Sequence, residues 1–352
     1  MQEYPIYIGN QSLSQLQLDI SAKAYSNVVV LLDENTYRDC YPILKDHLPE
    51  KHHWIGIYAG EAHKTLSTCE KIWEQLTSCY CDRNTLLINL GGGVIGDMGG
   101  FVAGVYKRGI DFVQVPTTLL AQTDASVGSK VGIDFHLYKN QIGLFIDPQA
   151  VYICPVFLNT LPKRQLLSGF GEVVKHYLIS DKAGWDELKT QAFETLDFEK
   201  VIQHSVATKS AIVAQDKMER NIRKALNFGH TVGHAVESYF LGFDSEAMFH
   251  GEAVAAGMIC ESHLSFQKGY LSETELEEIT AYLLQHFWLP EMPPFIYKRI
   301  YQLMQQDKKN QGDEVMCVLL KEIGKVKWNE PVEKAQLLAA LHFYNEKIKL
   351  KK

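Results

Sequence analysis

The sequence predicts an α/β N-terminal domain with a Rossmann-like parallel sheet, then a mainly α-helical C-terminal domain, with the active site in the cleft between them. Three observations predict it. Short β-branched apolar runs alternate with helical patterns over the first half; each run ends in polar or glycine-rich residues; and beyond Leu161 long amphipathic stretches take over. Strands buried on both faces read as continuous apolar runs because helices cover their sheet. At 352 residues the chain is too long for one comfortable core, so two domains are expected, 1–160 and 161–352.

The elements follow in order. Asn27-Val-Val-Val-Leu-Leu32 is a strand ending in Asp33-Glu34-Asn35, and Trp54-Ile-Gly-Ile-Tyr58 is a second, ending near Glu61 and Lys64. A helical pattern runs from Leu66 to Tyr80. Thr85-Leu-Leu-Ile-Asn-Leu90 is a third strand, running into Gly91-Gly-Gly-Val94-Ile-Gly96 and a helix from Asp97 to Val105. Phe112-Val-Gln-Val115 is a fourth, stopped by Pro116. In such sheets ligands collect at the carboxyl ends of strands, and here the polar residues fall there each time. In the second half, Leu161-Pro162 and Ser168-Gly-Phe-Gly-Glu172-Val-Val-Lys175 read as two helix entries. Helical patterns follow over 183–195, 198–216, 230–241, 252–268, 272–285 and 332–348, interrupted by the rigid connector Leu289-Pro-Glu-Met-Pro-Pro294.

Composition narrows the function. A net charge of −7 argues against nucleic-acid binding, which needs a basic surface. No apolar run reaches the roughly 18–20 residues of a membrane span, and Met1-Gln-Glu-Tyr-Pro-Ile lacks the marks of a signal peptide. The seven cysteines are odd in number and show no CxxC spacing, so reduced thiols in a cytoplasm are expected.

Four constellations carry chemistry. Gly91-Gly-Gly93-Val-Ile-Gly96, after a strand and before a helix, lets the backbone approach a pyrophosphate. A glycine turn is often only a tight turn, and its place in the third strand unit departs from the standard dinucleotide order. The usual acid about 20 residues on has no good candidate, since Asp111 comes early; Asp33, Glu34 and Asn35 are placed to meet an adenosine ribose instead. Second, Pro116-Thr117-Thr118-Leu-Leu-Ala-Gln-Thr-Asp124-Ala-Ser-Val-Gly-Ser-Lys130, followed by Lys139-Asn140, is dense in small polar groups and suits a phosphate or polyol. Third, Glu172, His230 and His250 make a carboxylate-and-imidazole set that suits a catalytic zinc with open positions. His230 and His234, at i and i+4, share a helix face, so by spacing alone both could ligate one ion. Fourth, Glu219, Arg223, Asn227 and His230 would line one helical face, whose ordinary reading is a solvated charge stripe. His47, His52, His53, His63 and His136 have no comparable context and are expected at the surface.

With these runs in view, the chain resembles the 3-dehydroquinate synthases of the sugar phosphate cyclase family. The matching blocks are GGGVIGD (91–97), YKRG (106–109), PTTLLAQTDASVGSK (116–130), KNQIG (139–143), SGFGEVVK (168–175), LNFGHTVGH (226–234), HGEAVAAGM (250–258) and DKKNQG (307–312). Departures are Ser129 and Asp134 for the usual glycine and asparagine, Asp216-Lys-Met-Glu219, and about four residues inserted in the loop 242–249. The resemblance implies conversion of a phosphorylated keto acid, 3-deoxy-D-arabino-heptulosonate 7-phosphate, to 3-dehydroquinate and phosphate. The implied steps are transient oxidation, phosphate elimination, reduction and intramolecular aldol closure, in aromatic amino-acid biosynthesis.

It also implies Zn²⁺, or Co²⁺ in its place, on Glu172, His230 and His250, which makes His234 a catalytic group and not a ligand. NAD would meet Asp33, Asn35, Glu61, Lys64, Gly92, Gly93, Val94, Asp97, Thr117, Thr118, Lys139 and the turn Phe157, Leu158, Asn159, Thr160. Substrate phosphate would meet Lys130, Asn140, Arg223 and one of Lys308 and Lys309, with Arg108 reaching in from the second subunit of a homodimer. Lys209 and Asn227 would hold the carboxylate end, and Asp124, Lys175 and Glu219 the hydroxyls. Rival readings are another sugar phosphate cyclase and a metal-dependent NAD polyol dehydrogenase, which would need no phosphate cluster.

Overall fold

The computed structural model describes residues 4–136, 138–240, 247–305 and 314–351. The chain divides into two compact units, Met1–Pro162 with Asp197–Ser210, and Lys163–Leu196 with Ala211–Lys352. The single break expected at 160/161 therefore misses a segment that returns to the first unit. That segment is the first part of the helix Phe198–Gln215. It is tied there by Lys209, whose Nζ lies 2.8 Å from Asp124 Oδ1.

The strands of the first unit are β1 (Ile6–Ile8), β2 (Asn27–Asp33), β3 (His53–Ile57), β4 (Thr85–Gly91), β5 (Asp111–Pro116), the hairpin β6 (Lys130–Phe135) and β7 (Tyr138–Phe145), and β8 (Val151–Ile153). Six of them form a parallel sheet in the order β1-β8-β5-β4-β2-β3. Alternate residues of each apolar run face opposite ways. Val29, Leu31 and Leu87 pack with Ile72, Leu76, Met98 and Phe101, while Val28, Val30, Leu86 and Ile88 pack with Leu13, Leu16 and Ile20. From β2 the chain moves outward to β3, and from β4 it moves the opposite way to β5. The loops leaving β2 and β4 therefore diverge, which in open parallel sheets makes a ligand crevice at their carboxyl ends. Asp33 ends β2 and Gly91 ends β4.

The second unit is mainly helical. The two helix entries expected near Leu161 and Ser168 are one helix, Lys163–Ser180. Gly171 sits inside it because a side chain there would lie 2.8 Å from the carbonyl oxygen of Gly251. The helices His230–Phe240, His250–Gln267, Glu273–His286 and Lys334–Lys351 lie near the sequence patterns, whereas the 183–195 pattern yields only Lys182–Leu188 and a 3-10 turn. A hairpin, β9 (Val315–Glu322) with β10 (Lys325–Val332), was not anticipated. Its signal is present in the apolar run Val315–Leu320 and in Gly324, whose φ of +94° makes the turn. No helix among the described residues is long and apolar enough to cross a membrane.

Candidate metal and cofactor sites

In the second unit, glycine brings helix backbones together. A Cβ on Gly251 would stand 1.7 Å from Ser168 O, and one on Gly257 would stand 1.9 Å from Gly229 O. These approaches seat the three helices that carry Glu172, His230 and His250. Their ligand atoms all lie within 4.8 Å of one another. Glu172 is 1% exposed, and its Oε1 is 3.4 Å from Nε2 of both His230 and His250. It also pairs with Lys175, three residues on along the helix. Among the described residues no hydrogen bond of normal geometry reaches either carboxylate oxygen. Lys175 balances part of the charge of this buried anion, and a cation between the three groups would supply the coordination its oxygens lack. The residues present, one carboxylate and two imidazoles, therefore fit a divalent metal such as zinc.

The electrostatics agree with the geometry. Burial works against charge on Glu172, but Lys175 and His230 hold its carboxyl well below the usual range. Burial, helped by Lys175, lowers the His230 pKa and so favours the neutral imidazole that binds metals. His230 Nδ1 stands 3.1 Å from the carbonyl of Phe228, which points the Nε2 lone pair at the cluster. Burial alone would depress His250, but Glu237 and Glu172 raise it to about 10, so a metal ion binding there takes the place of a proton. Its Nδ1 faces Glu237 Oε2 at 3.3 Å, the carboxylate–imidazole arrangement that orients a ligand from behind. His234 is exposed, with its ring centre 5.1 Å from that of His230 and 5.9 Å from that of His250. The i, i+4 pair thus does share a face, and a second set of ligand atoms, from His234, Glu237 and His250, also lies within 4.8 Å.

The helical stripe Glu219–Arg223–Asn227–His230 does not form. The helix ends at Gln215, where the Asp216 carboxylate accepts from the amides of Arg220 (3.0 Å), Asn221 (2.6 Å) and Arg223 (3.2 Å). Glu219 then takes a left-handed φ of +57°, a 3-10 turn covers Ile222–Asn227, and Gly229 breaks the path again at φ +78° before the next helix begins at His230. Compact turns still bring members together: Asn227 Nδ2 donates to Glu219 Oε1 at 2.9 Å. The buried Arg223 donates from Nη1 to Lys217 O at 2.5 Å.

In the first unit, Gly92 precedes the helix Gly93–Val105, which starts four residues earlier than expected and so puts Val94 and Asp97 in its opening turns. Lys64 is buried, with Nζ 2.6 Å from Asp97 Oδ2, 2.5 Å from Asn140 Oδ1 and 3.9 Å from Glu61 Oε1. Burial opposes its charge, yet Asp97 and Glu61 raise its pKa above the ordinary lysine value. Thr117 N donates to Gly91 O at 3.0 Å, and Thr118 Oγ1 accepts from Ala121 N at 3.2 Å. Asp33 Oδ1 caps the helix Glu34–Asp39 by accepting from Thr36 N at 2.8 Å, with Asn35 exposed in the first turn. Lys209 is buried on Asp124, which sits in the π-helical turn Ala121–Ala125. Lys130 and Lys139 are exposed, and in the 3-10 turn Pro155–Thr160 the side chains of Phe157 and Leu158 are buried while Asn159 and Thr160 are exposed. Arg108 is exposed at φ +66°. Lys308 and Lys309 lie outside the described residues.

Sequence reasoning missed the acids behind the site. Glu237 backs His250. Glu252 accepts from Phe249 N at 2.8 Å and from Nε and Nη2 of Arg164 at 2.7 and 2.8 Å, fixing the turn before His250. Glu261 caps the helix of His230. The available signal was an acid in an otherwise Ala- and Gly-rich helix.

Comparison with known proteins agrees with the architecture. The family model described as 3-dehydroquinate synthase N-terminal matches residues 54–168, and the one described as 3-dehydroquinate synthase C-terminal matches residues 169–310. A curated 3-dehydroquinate synthase of Parabacteroides distasonis is 38% identical over 352 residues, covering 98% of this chain and 99% of that protein. Among solved structures, a 2-epi-5-epi-valiolone synthase from Streptomyces hygroscopicus, with NAD⁺ and Zn²⁺ bound, is 25% identical at a TM-score of 0.84, covering 98% of this chain and 97% of the other. A 2-deoxy-scyllo-inosose synthase, complexed with carbaglucose-6-phosphate, NAD⁺ and Co²⁺, shares the fold at 24% identity and a TM-score of 0.84, covering 96% and 95%.

Proposed function

The chain belongs to the 3-dehydroquinate synthase family, and on that premise we propose that it converts 3-deoxy-D-arabino-heptulosonate 7-phosphate to 3-dehydroquinate and phosphate, using NAD and one divalent metal, zinc or cobalt. The observation that carries the reading is the convergence of Glu172, His230 and His250 within 4.8 Å around a buried carboxylate that lacks normal hydrogen bonds. When bound, the metal supplies Lewis acidity to a substrate hydroxyl, and NAD supplies a reversible hydride acceptor.

The chain's own residues do the rest. Gly92, Gly93 and Val94 open a helix whose amides suit a pyrophosphate. Asp33, Asn35, Glu61, Lys64, Asp97, Thr117, Thr118, Lys139 and Phe157–Thr160 are the remaining NAD set. Lys130, Asn140 and Arg223, with Lys308 or Lys309, take the phosphate, where cations favour departure of the dianion. Lys209 and Asn227 hold the carboxylate end, and Asp124, Lys175 and Glu219 meet the hydroxyls. His234, exposed beside the ligand pair, exchanges protons with substrate. Holding one flexible substrate makes each later step intramolecular. Arg108, exposed in strained backbone, is assigned to the partner's site in a homodimer.

Incubating the protein with the heptulosonate phosphate should release phosphate and dehydroquinate in equal amounts, with catalytic NAD⁺ and no net NADH. NADH formed in proportion to substrate consumed would point to a polyol dehydrogenase instead. For the dimer, mixing Arg108→Ala subunits with His250→Ala subunits should restore activity after exchange, because one site in each mixed dimer keeps both groups. Confirmed heterodimers without recovery would remove Arg108 from the partner's site.

A further inference from the structure

We propose that Glu261 is a positioning residue for the metal centre, acting through the backbone on either side of His230; the inference rests on the metal reading above. Glu261 lies in the helix His250–Gln267 and is fully buried. Its Oε2 accepts from Gly229 N at 2.6 Å, and its Oε1 accepts from Thr231 N at 3.1 Å and Val232 N at 3.2 Å. These amides open the helix His230–Phe240, where N–H groups lack intrahelical partners and a negative charge is favoured. The local sequence offers no cap of its own, since Phe228 and Gly229 carry no side-chain oxygen. The cap therefore comes from a neighbouring helix, and that neighbour begins with His250.

The geometry links the cap to the ligand. The grip on Gly229, Thr231 and Val232 flanks His230 on both sides. It also fixes the Phe228 carbonyl region that orients His230 Nδ1 at 3.1 Å. One helical turn before Glu261, Gly257 leaves room for Gly229 O, so the two backbones are in register where the carboxylate reaches across. A carboxylate in a core is expensive unless its lone pairs are filled, and an apolar residue would be the default there. Three amides occupy three of its roughly four acceptor positions, so the acid sets a ligand's direction as well as filling space.

The test compares Glu261→Gln, which keeps the shape but turns one acceptor into a donor, with Ser262→Ala at the adjacent, equally buried position. Zinc affinity is read by competition with a chromophoric chelator, and ligand geometry by the visible absorption of the protein saturated with Co²⁺. Glu261→Gln should weaken zinc about 10–100-fold, as loss of outer partners of metal ligands does, and should change the cobalt bands. Ser262→Ala should change neither. A folded Glu261→Gln protein with wild-type zinc affinity and cobalt bands would overturn the proposal. Should that variant not fold, Glu261→Asp keeps the charge but withdraws it by one bond, and unaltered cobalt bands there would overturn it equally. Wild-type protein that binds no zinc would refute the metal reading itself, a result distinct from either.

Discussion

The two units hold their candidate groups by opposite means. In the first, the cations are held by other side chains: Lys64 by Asp97 and Asn140, Lys209 by Asp124. In the second, Glu172, His230 and His250 are held by helix backbones that meet at glycines. Side-chain pairs can exchange partners when a charged ligand arrives, whereas close-packed helices cannot yield without loss of the core. On the proposed reading, binding adapts in the first unit and the second offers a cage preformed for a metal.

The largest effect should come from the cage. His250→Ala should abolish bound zinc and lower turnover by about three orders of magnitude, given the several kcal/mol a Lewis acid contributes, while leaving the fold largely intact. His234→Ala should keep zinc and still lose about 10²–10⁴ in rate. Elemental analysis separates the two, and full zinc occupancy in the His250 variant would refute the ligand set.

Lys64→Met should come next, because it strands the Asp97 carboxylate; the cost should be about 3 kcal/mol, at the low end for a broken buried pair. Since the Lys64 pKa is raised, its contribution is complete below the ordinary lysine value and is lost only as pH rises through the raised one. Urea unfolding midpoints at pH 7 and pH 9 should therefore differ from wild type by the same amount.

Glycine substitutions sharpen the contrast. Gly251→Ala places a methyl 1.7 Å from Ser168 O and should cost about 2–3 kcal/mol. Gly92→Ala meets only the Thr118 methyl at 3.1 Å, which can give way, and should cost under about 1 kcal/mol. It should instead raise the KM for NAD. Equal losses in thermal stability would erase the distinction between the units.

The legibility of the sequence follows the same division. The β2, β4 and β5 strands were readable because fully buried parallel strands are uninterrupted apolar runs. Their ends were readable as ligand edges because topology puts loops there. The proposed metal ligands were legible as residue types, yet nothing local says that Glu172 meets His230 and His250, since helix packing across long sequence separations decides it. The 216–229 stretch was misread because its periodicity imitates a helix, while Asp216 and two left-handed residues fold it into turns. Glu261 was legible only as an acid in an Ala- and Gly-rich helix, for its partners are backbone amides, which leave no mark in a sequence.

That 216–229 stretch gives the smallest and most discriminating prediction, for it is the part of the second unit built like the first, by hydrogen bonds to a carboxylate. Burial works against the charge on Asp216, but the amides of Arg220, Asn221 and Arg223 hold its pKa below the ordinary aspartate value. A lowered pKa means stability that is complete above the unfolded value, near ~3.9, and is lost as pH falls through the folded one. Asp216→Asn keeps one acceptor and should cost about 1 kcal/mol at neutral pH. The gap from wild type should begin to narrow below about pH 4, where Asp216 of the unfolded chain takes up a proton, and close only as pH falls through the lowered folded value. Urea midpoints measured from pH 7 down to pH 3 follow that closure. Zinc occupancy should stay full, because Asp216 holds only the amides of 220–223 whereas the cage rests on the contacts of Gly229, Gly251 and Gly257, while the KM for substrate rises as Glu219, Arg223 and Asn227 lose their frame. Loss of zinc in this variant would mean that the turn supports the cage, and that adaptable and preformed parts do not divide between the units as drawn.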